Sequence, residues 1–208
     1  FIGDAVMAFW NAPLLDVAHA ANACKAALRM QQEVKRLNAL WAAEAAARGE
    51  TAPAVRIGIG LNTGACCVGN VGSPQRFDYS ILGDVVNVAS RLEEATKTYD
   101  LPIIAGEQTA AAAQSLAFLE IAAVKVRGKE RPERIFALLG DESVADSERF
   151  AVLRQAHAKL LAALAARDRA AASPALEACR ELGGEALSQL YAEYQRRLDQ
   201  TSQASVSG

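Results

Sequence analysis

The stretch from Phe77 to Glu93 constrains this chain most, because its residues predict a strand, a Gly-Asp break and then a helix. Asn87 and Arg91 are about one helical turn apart, so both side chains leave the same face of the predicted helix. Val88 and Leu92 fall on another face and are expected to be buried. An amide beside a guanidinium suits a phosphate ester, because the first donates hydrogen bonds and the second supplies fixed charge. The stretch therefore indicates phosphoryl chemistry.

The bulk composition allows one domain of ordinary size with an appendage, since the chain has 208 residues, of which 51% are hydrophobic and 22% charged. A net charge of −2 argues against a nucleic-acid-binding surface. No apolar run approaches the ~20 residues needed to span a bilayer, and no signal peptide is visible. The four cysteines lack metal-ligand spacing, and the neighbours Cys66 and Cys67 predict buried free thiols rather than disulfides. These features predict a cytoplasmic domain in a reducing compartment.

Residues 1–10 predict a hairpin in which Gly3-Asp4 forms the turn and 5–10 form a buried return strand. Asp4 at the tip has two interpretations at this point. It is a residue chosen for turn chemistry, or it is a carboxylate held at the end of a rigid strand to bind a divalent metal.

The apolar spacing predicts a long helix from an N-cap at Asp16 to about Arg48. His19 lies in its first turn without a second histidine nearby, so a histidine metal site is discarded. Strands follow over 55–61 and 65–72. The glycines in 55–61 lie inside a strand that no helix follows directly, which argues against a dinucleotide fingerprint and favours a bulge or a close backbone approach.

After the central stretch, the pattern predicts a strand over 102–105, a short helix over 106–114, and two strands within 116–126 and 134–139. The basic turn between these strands is solvated charge or a contact for an anionic ligand. From Asp146 onward strand signals disappear, and two amphipathic helices over 147–169 and 174–198 predict a helical hairpin. Pro174 suits the first turn of the second helix, and the polar residues 201–208 are expected to be disordered.

Five motifs in this order resemble the catalytic domain of class III nucleotide cyclases, the adenylyl and guanylyl cyclases. They occupy residues 1–10, 58–64, 69–72, 78–93 and 126–129. The resemblance implies an α+β, ferredoxin-like (βαββαβ-type) cyclase domain over 1–141, followed by a helical tail over 142–200 and a disordered end over 201–208. It also implies a homodimer whose two copies pair head to tail, with each active site across the interface.

The resemblance implies conversion of ATP to 3′,5′-cyclic AMP and pyrophosphate for intracellular signalling. Ser80 matches the position that contacts the purine edge, and Asn87 matches the residue that orients the ribose. Arg91 matches the arginine that stabilises the transition state at the α-phosphate. Attack of the ribose 3′-hydroxyl on that phosphate requires a cation for the developing charge and in-line geometry.

The remaining matches concern metals and terminal phosphates. Asp4 matches the second of the family's two metal-binding aspartates, which favours the metal-binding interpretation over turn chemistry. Two Mg²⁺ or Mn²⁺ ions per site are implied. Arg127 stands where the family often has a lysine that holds the terminal phosphates, and Lys129 is a second candidate. Arginine keeps the charge there but changes its geometry.

The family's first metal aspartate and its adenine-reading lysine have no match in this sequence. We therefore expect the 208 residues to be inactive alone. Because the sequence opens with Phe1 inside an apolar run and not with Met, we also expect the chain to be the C-terminal portion of a longer polypeptide. A resemblance of the helical tail to multidomain bacterial cyclases implies a sensor domain upstream in the parent chain. Whether that parent is anchored in a membrane stays open.

Three other functions compete with adenylyl cyclase. A guanylyl cyclase usually has cysteine at the position of Ser80, although serine can bond either purine. A degenerate cyclase domain that only dimerises or regulates is disfavoured by the presence of Asn87 and Arg91. A diguanylate cyclase is set aside, because residues 3–6 lack its Gly-Gly-Asp/Glu-Glu-Phe signature.

Overall fold

Alternating strands and helices are followed by helices alone in the computed structural model, which describes residues 3, 5–73, 76–124 and 133–206. In chain order the elements are α1 (His19–Ala47), β1 (Ile59–Leu61), β2 (Cys67–Ser73), β3 (Arg76–Leu82), α2 (Asp84–Tyr99), β4 (Ile103–Gly106), α3 (Glu107–Ala112), β5 (Ala117–Val124), β6 (Glu133–Gly140), α4 (Glu142–Ala145), α5 (Glu148–Ala165), α6 (Arg169–Gly183), a 3₁₀ turn (Glu185–Leu187) and α7 (Ser188–Val206). No helix among the described residues has the length and apolar character required to cross a bilayer.

The described residues form two sheets. The larger has the strand order β1-β4-β6-β5, in which β1 and β4 are parallel and the other neighbours antiparallel. The smaller is the antiparallel β2–β3 ribbon, in which Gly69 is paired with Ser80. The mixed α+β architecture with a helical C-terminal region is the predicted one, and that prediction is confirmed.

The predicted buried strand over 5–10 is wrong. Ala5 makes an isolated bridge, residues 6–10 lie outside any strand, and the side chain of Val6 is 61% exposed. A strand is stable only where another strand satisfies its backbone groups, and nothing in the described ranges pairs with 6–10.

At two further places the secondary structure is shorter than predicted, and side-chain hydrogen bonds hold the backbone there instead. The strand predicted over 55–61 is reduced to β1, because the Asn38 amide bonds both backbone groups of Val55, at 2.9 and 2.7 Å. Helix α1 begins at His19 with Ala18 as its N-cap, so the predicted cap at Asp16 is wrong. The Asp16 carboxylate still stabilises the entry to the helix by accepting from the Ala18 N–H at 3.0 Å.

The C-terminal region contains more helices than the predicted hairpin. Asp168 caps α6 by accepting from the Ala171 N–H at 3.0 Å, so Pro174 lies inside the helix and not in its first turn. The predicted helix over 174–198 is broken at Gly184, whose φ of 59° favours glycine. The chain then resumes as α7, which extends to Val206 instead of ending at Leu198.

These C-terminal helices share a hydrophobic core with the larger sheet. Leu119 and Ile121 of β5 belong to the same buried cluster as Leu160 of α5 and Tyr191 and Tyr194 of α7. The α5–α7 helices therefore cover one face and the β5 edge of the sheet with apolar side chains, which satisfies the requirement that each helix bury its apolar stripe.

His157 of α5 is the buried polar contact in this core. Its Nε2 lies 2.6 Å from the carbonyl oxygen of Glu120, and its Nδ1 lies 3.2 Å from the Tyr191 hydroxyl. A carbonyl only accepts, so Nε2 carries the proton and Nδ1 accepts from Tyr191. Burial lowers the pKa of His157 from 6.5 to about 4, partly offset by the bond to Glu120.

We expect the stability of the chain to fall between pH 6.5 and pH 4 because of this histidine. In that pH range His157 binds a proton in the unfolded chain but not in the folded chain. The free energy of unfolding therefore decreases as the pH is lowered. Because the pKa in the folded chain is about 4, the free energy of unfolding should fall by about 3 kcal/mol across this pH range. His157→Gln should flatten this slope, measured by urea unfolding at pH 7.0, 5.5 and 4.5. His19→Gln is the control for loss of an imidazole, and equal slopes in parent and His157→Gln would contradict the assignment.

Candidate active site

The junction of β3 and α2 places three predicted site residues on consecutive elements. Ser80 lies near the end of β3, half-buried and paired with Gly69, and Gly83 separates the strand from the first residue of α2, Asp84. Asn87 lies in the first turn of that helix and Arg91 one turn later. The predicted strand–break–helix order is therefore confirmed for this stretch.

Helix α2 separates its buried and exposed residues as the sequence predicts. Val88 and Leu92 are buried at 5% and 4% exposure, whereas Asn87 and Arg91 are exposed. Within the described residues neither exposed side chain has a hydrogen-bond or ion-pair partner. A guanidinium without an internal counter-ion presents its donors to solvent, where they are available to an anion.

The position of α2 is set by its close approach to β1. A Cβ atom at Gly60 would overlap the carbonyl oxygen of Ala89 and the backbone nitrogen of Glu93. The helix backbone thus rests directly on the strand on either side of Arg91. Of the two predicted alternatives for the glycines of 55–61, a bulge or a close backbone approach, the second is confirmed at Gly60.

Asn62 also positions α2, a role that its place in the motif over 58–64 did not predict. Its Nδ2 donates to the Val85 carbonyl at 3.0 Å, in the first turn of the helix. The next residue, Thr63, bonds Thr109 of α3 through the two hydroxyls at 2.8 Å. Gly106 leaves room for this arrangement, because a Cβ there would overlap Oδ1 of Asn62. An amide directly after a buried strand was the available signal.

A cavity of about 450 Å³ lies on another side of α2. Residues 7–12 and the start of α1 line it together with Val85, Val86 and Ala89. Asn87 and Arg91 are not among its lining residues. The candidate catalytic side chains therefore lie outside this cavity and are exposed to solvent.

The remaining predicted site residues, Asp4, Arg127 and Lys129, lie outside the described residues. In the ranges that the structure does describe, no group of three or more histidine, cysteine or carboxylate side chains could hold a metal ion. Asp4 is thus the only candidate metal ligand that the sequence supplied, and its geometry relative to Asn87 and Arg91 stays a prediction.

The cysteines are all free, as predicted, but two of them are not buried. Cys24 and Cys179 lie in the core, whereas Cys66 and Cys67 are exposed. The apolar run around them suggested burial, but they lie where the chain enters the β2–β3 ribbon, which is separate from the larger sheet and its core. The prediction of buried thiols at 66 and 67 is therefore wrong.

Comparisons with known proteins agree on one family. Residues 1–140 match the family model described as the adenylate and guanylate cyclase catalytic domain. Adenylate cyclase 1 of Rhizobium meliloti (strain 1021) is 36% identical over 141 residues, covering 67% of this chain and 20% of that protein. An adenylate cyclase of Anabaena cylindrica is 34% identical over 141 residues, covering 65% of this chain and 26% of that protein. The chain thus spans between a fifth and about a quarter of the length of these relatives.

This chain is similar to solved structures of both an adenylyl and a guanylyl cyclase. The adenylyl cyclase CyaB from P. aeruginosa superposes with a TM-score of 0.52 at 29% identity, over 64% of this chain and 65% of that one. The guanylyl cyclase Cya2 gives the same TM-score of 0.52 at 27% identity, over 62% of each chain. The fold likeness therefore does not distinguish adenine from guanine.

Proposed function

This chain belongs to the adenylate and guanylate cyclase catalytic domain family, and we propose that it converts ATP to 3′,5′-cyclic AMP and pyrophosphate. The observation that supports this most is the exposed pair Asn87 and Arg91 on α2, directly after the strand that contains Ser80. An unpartnered guanidinium one turn from an amide is what a reacting phosphate and its sugar require.

In the proposed reaction the ribose 3′-oxygen attacks the α-phosphorus, and the bond from that phosphorus to the β-phosphate oxygen breaks. The hydroxyl proton leaves to solvent or base, and pyrophosphate leaves with the bonding electron pair. Arg91 donates to the non-bridging oxygens, on which negative charge develops, and lowers the barrier through preorganised charge. Asn87 holds the ribose so that the 3′-oxygen lies in line, which lowers the entropic cost of the attack.

Ser80 is proposed to contact the base, and Arg127, with Lys129 as second candidate, to hold the terminal phosphates. Two Mg²⁺ or Mn²⁺ ions per site would neutralise the phosphates when bound, with Asp4 as one ligand.

We further propose that the active form is a homodimer, with Asp4 serving one site while Ser80, Asn87 and Arg91 serve the other. The solvent-facing position of Asn87 and Arg91 outside the cavity supports a site completed by a second chain. The family's first metal aspartate and base-reading lysine have no match here, so the 208 residues alone are proposed to be inactive. An upstream sensor domain and a cytoplasmic location, which four free thiols fit, complete the proposal.

GTP is the second candidate substrate, because the likeness to the guanylyl cyclase Cya2 equals that to the adenylyl enzyme and a serine hydroxyl bonds either purine. We expect ATP to be preferred. The test measures cyclic nucleotide formed from Mg-ATP, Mn-ATP and the two GTP salts, using the 208-residue chain and a form extended at its N-terminus.

Activity of the extended form with ATP, and none of the 208-residue chain, would support the proposal. A higher kcat/KM with GTP than with ATP would instead support the assignment as a guanylyl cyclase. No turnover of either nucleotide by the extended form would instead favour a regulatory domain that only dimerises.

A further inference from the structure

We propose that Arg197 and Tyr194 of α7 are positioning residues, which fix α2 and β5 relative to each other from outside the family domain. This inference rests on the proposed cyclase function only for its kinetic effect. The geometric part concerns how the C-terminal helices hold two elements of the catalytic domain. Neither residue contacts substrate.

The first contact is at the far end of α2. Tyr99, the last residue of the helix, is buried at 6% exposure, and its hydroxyl accepts from Nη2 of Arg197 at 3.3 Å. The Glu193 carboxylate orients the guanidinium by accepting from its Nε at 3.0 Å. The guanidinium also lies 5.9 Å from the centre of the Tyr194 ring, within cation–π range.

The second contact is at the edge of the larger sheet. β5 is the outermost strand, and its pairing with β6 shifts between Glu120 and Ala122. A bulge leaves one residue out of the ladder, so its backbone groups need other partners. The Tyr194 hydroxyl donates to the Ile121 carbonyl at this bulge, while His157 donates to the neighbouring carbonyl of Glu120.

The two contacts act together because Tyr194 and Arg197 lie on one face of α7, about one turn apart. Helix α2 is held at three places along its length. Asn62 bonds the carbonyl of Val85 at its start, Gly60 allows contact with β1 at its middle, and Arg197 bonds Tyr99 at its end. The third support comes from α7.

A change at Tyr99 reaches Arg91 because an α-helix is a stiff rod. The eight residue steps from Arg91 to Tyr99 span about 12 Å at ~1.5 Å per residue. Because the contact with Gly60 flanks Arg91, a tilt about it hardly moves the helix axis there. It does swing the guanidinium, which stands off that axis at the end of a long side chain, relative to its substrate. A displacement of about 1 Å is enough to reduce turnover strongly, whereas binding through other groups changes less.

The test uses Arg197→Leu, Tyr99→Phe, their double variant and Tyr194→Phe. Arg196→Leu is the matched control, since Arg196 pairs with the same Glu193 at 2.8 Å but from the neighbouring position on the helix. In the active form of the polypeptide we expect Arg197→Leu and Tyr99→Phe each to lower kcat about 5- to 10-fold, with KM within about two-fold of the parent.

The double variant should lose no more than either single variant, because both remove one interaction. Tyr194→Phe should also lower kcat, and Arg196→Leu should match the parent. Loss of thermal stability in Arg197→Leu with kcat and KM equal to those of Arg196→Leu would show a merely structural contact and overturn the inference.

Hydrogen exchange on the 208-residue chain separates this inference from the proposed function. We expect Arg197→Leu to accelerate exchange of the α2 amides around Arg91 at least about 5-fold relative to Arg196→Leu, because loosening one end lowers the local opening energy of the helix. If no form turns over ATP or GTP, the proposed function fails, and this exchange difference still decides the positioning role. Equal exchange in the two variants would contradict it.

Discussion

Arg91→Ala should lower kcat for ATP by on the order of 10²–10³, because it removes a preorganised donor to the charge that develops on the α-phosphate. The side chain is exposed and unpaired among the described residues, so its removal leaves no buried group without a partner. The free energy of unfolding should therefore stay within about 0.5 kcal/mol of the parent. The measurement is steady-state kinetics of the active form beside urea unfolding.

Two comparison variants make this result specific. Arg91→Lys keeps the charge but not the planar fork of donors, so an intermediate loss is expected. Lys97→Ala removes a cation from the same helix, where it forms an exposed pair with Glu93, and should leave kcat unchanged. A kcat for Arg91→Ala equal to that of Lys97→Ala would show that Arg91 has no part in the chemistry.

The central stretch was predictable because its signals are local. The alternation of β3, the Gly-Asp break and the spacing of Val88 and Leu92 are all encoded within about two turns or one strand. The exposed face of α2 follows directly from that spacing. A helix buries the face that the sequence makes apolar, so the positions of Asn87 and Arg91 followed without knowledge of the rest of the chain.

Most of the wrong predictions depend on residues that are distant in the sequence. Residues 6–10 have the composition of a strand, but strand formation needs a partner that local sequence does not reveal. Pro174 suited a first turn until Asp168 proved to cap the helix earlier. Cys66 and Cys67 lie in an apolar run, yet their ribbon is separate from the larger sheet. Tertiary context decided the first and third cases, whereas the second depended on a capping residue six positions before the proline.

The C-terminal helices show the same limit for function. Composition indicated amphipathic helices but not the surface they cover. The bonds from Tyr194 and His157 to adjacent carbonyls of β5 join residues far apart in sequence, and a bulge in β5 creates the need for them. Register shifts of this kind depend on the pairing of two strands and have no dependable signature in either one.

Replacing Gly60 should have the largest effect on folding of any single substitution proposed for this chain. A Cβ atom there would overlap backbone atoms of Ala89 and Glu93, which cannot rotate away as a side chain can. Gly60→Val should therefore lower the free energy of unfolding by about 3 kcal/mol or more, measured by urea or thermal unfolding. Gly60→Ala should lower the free energy of unfolding by less than Gly60→Val, but by more than an alanine substitution at a glycine with open space around it.

Gly69→Ala is the matched control, because this glycine is also in a strand but a Cβ atom there would meet nothing within 4 Å. Its stability should stay near that of the parent. Where Gly60→Ala still folds, α2 must move away from β1 to accommodate the methyl group, so kcat should fall further than the loss of stability explains. Equal stability of Gly60→Ala and Gly69→Ala would mean that α2 does not rest on β1 at this point, and would remove the structural basis for the placement of Asn87 and Arg91.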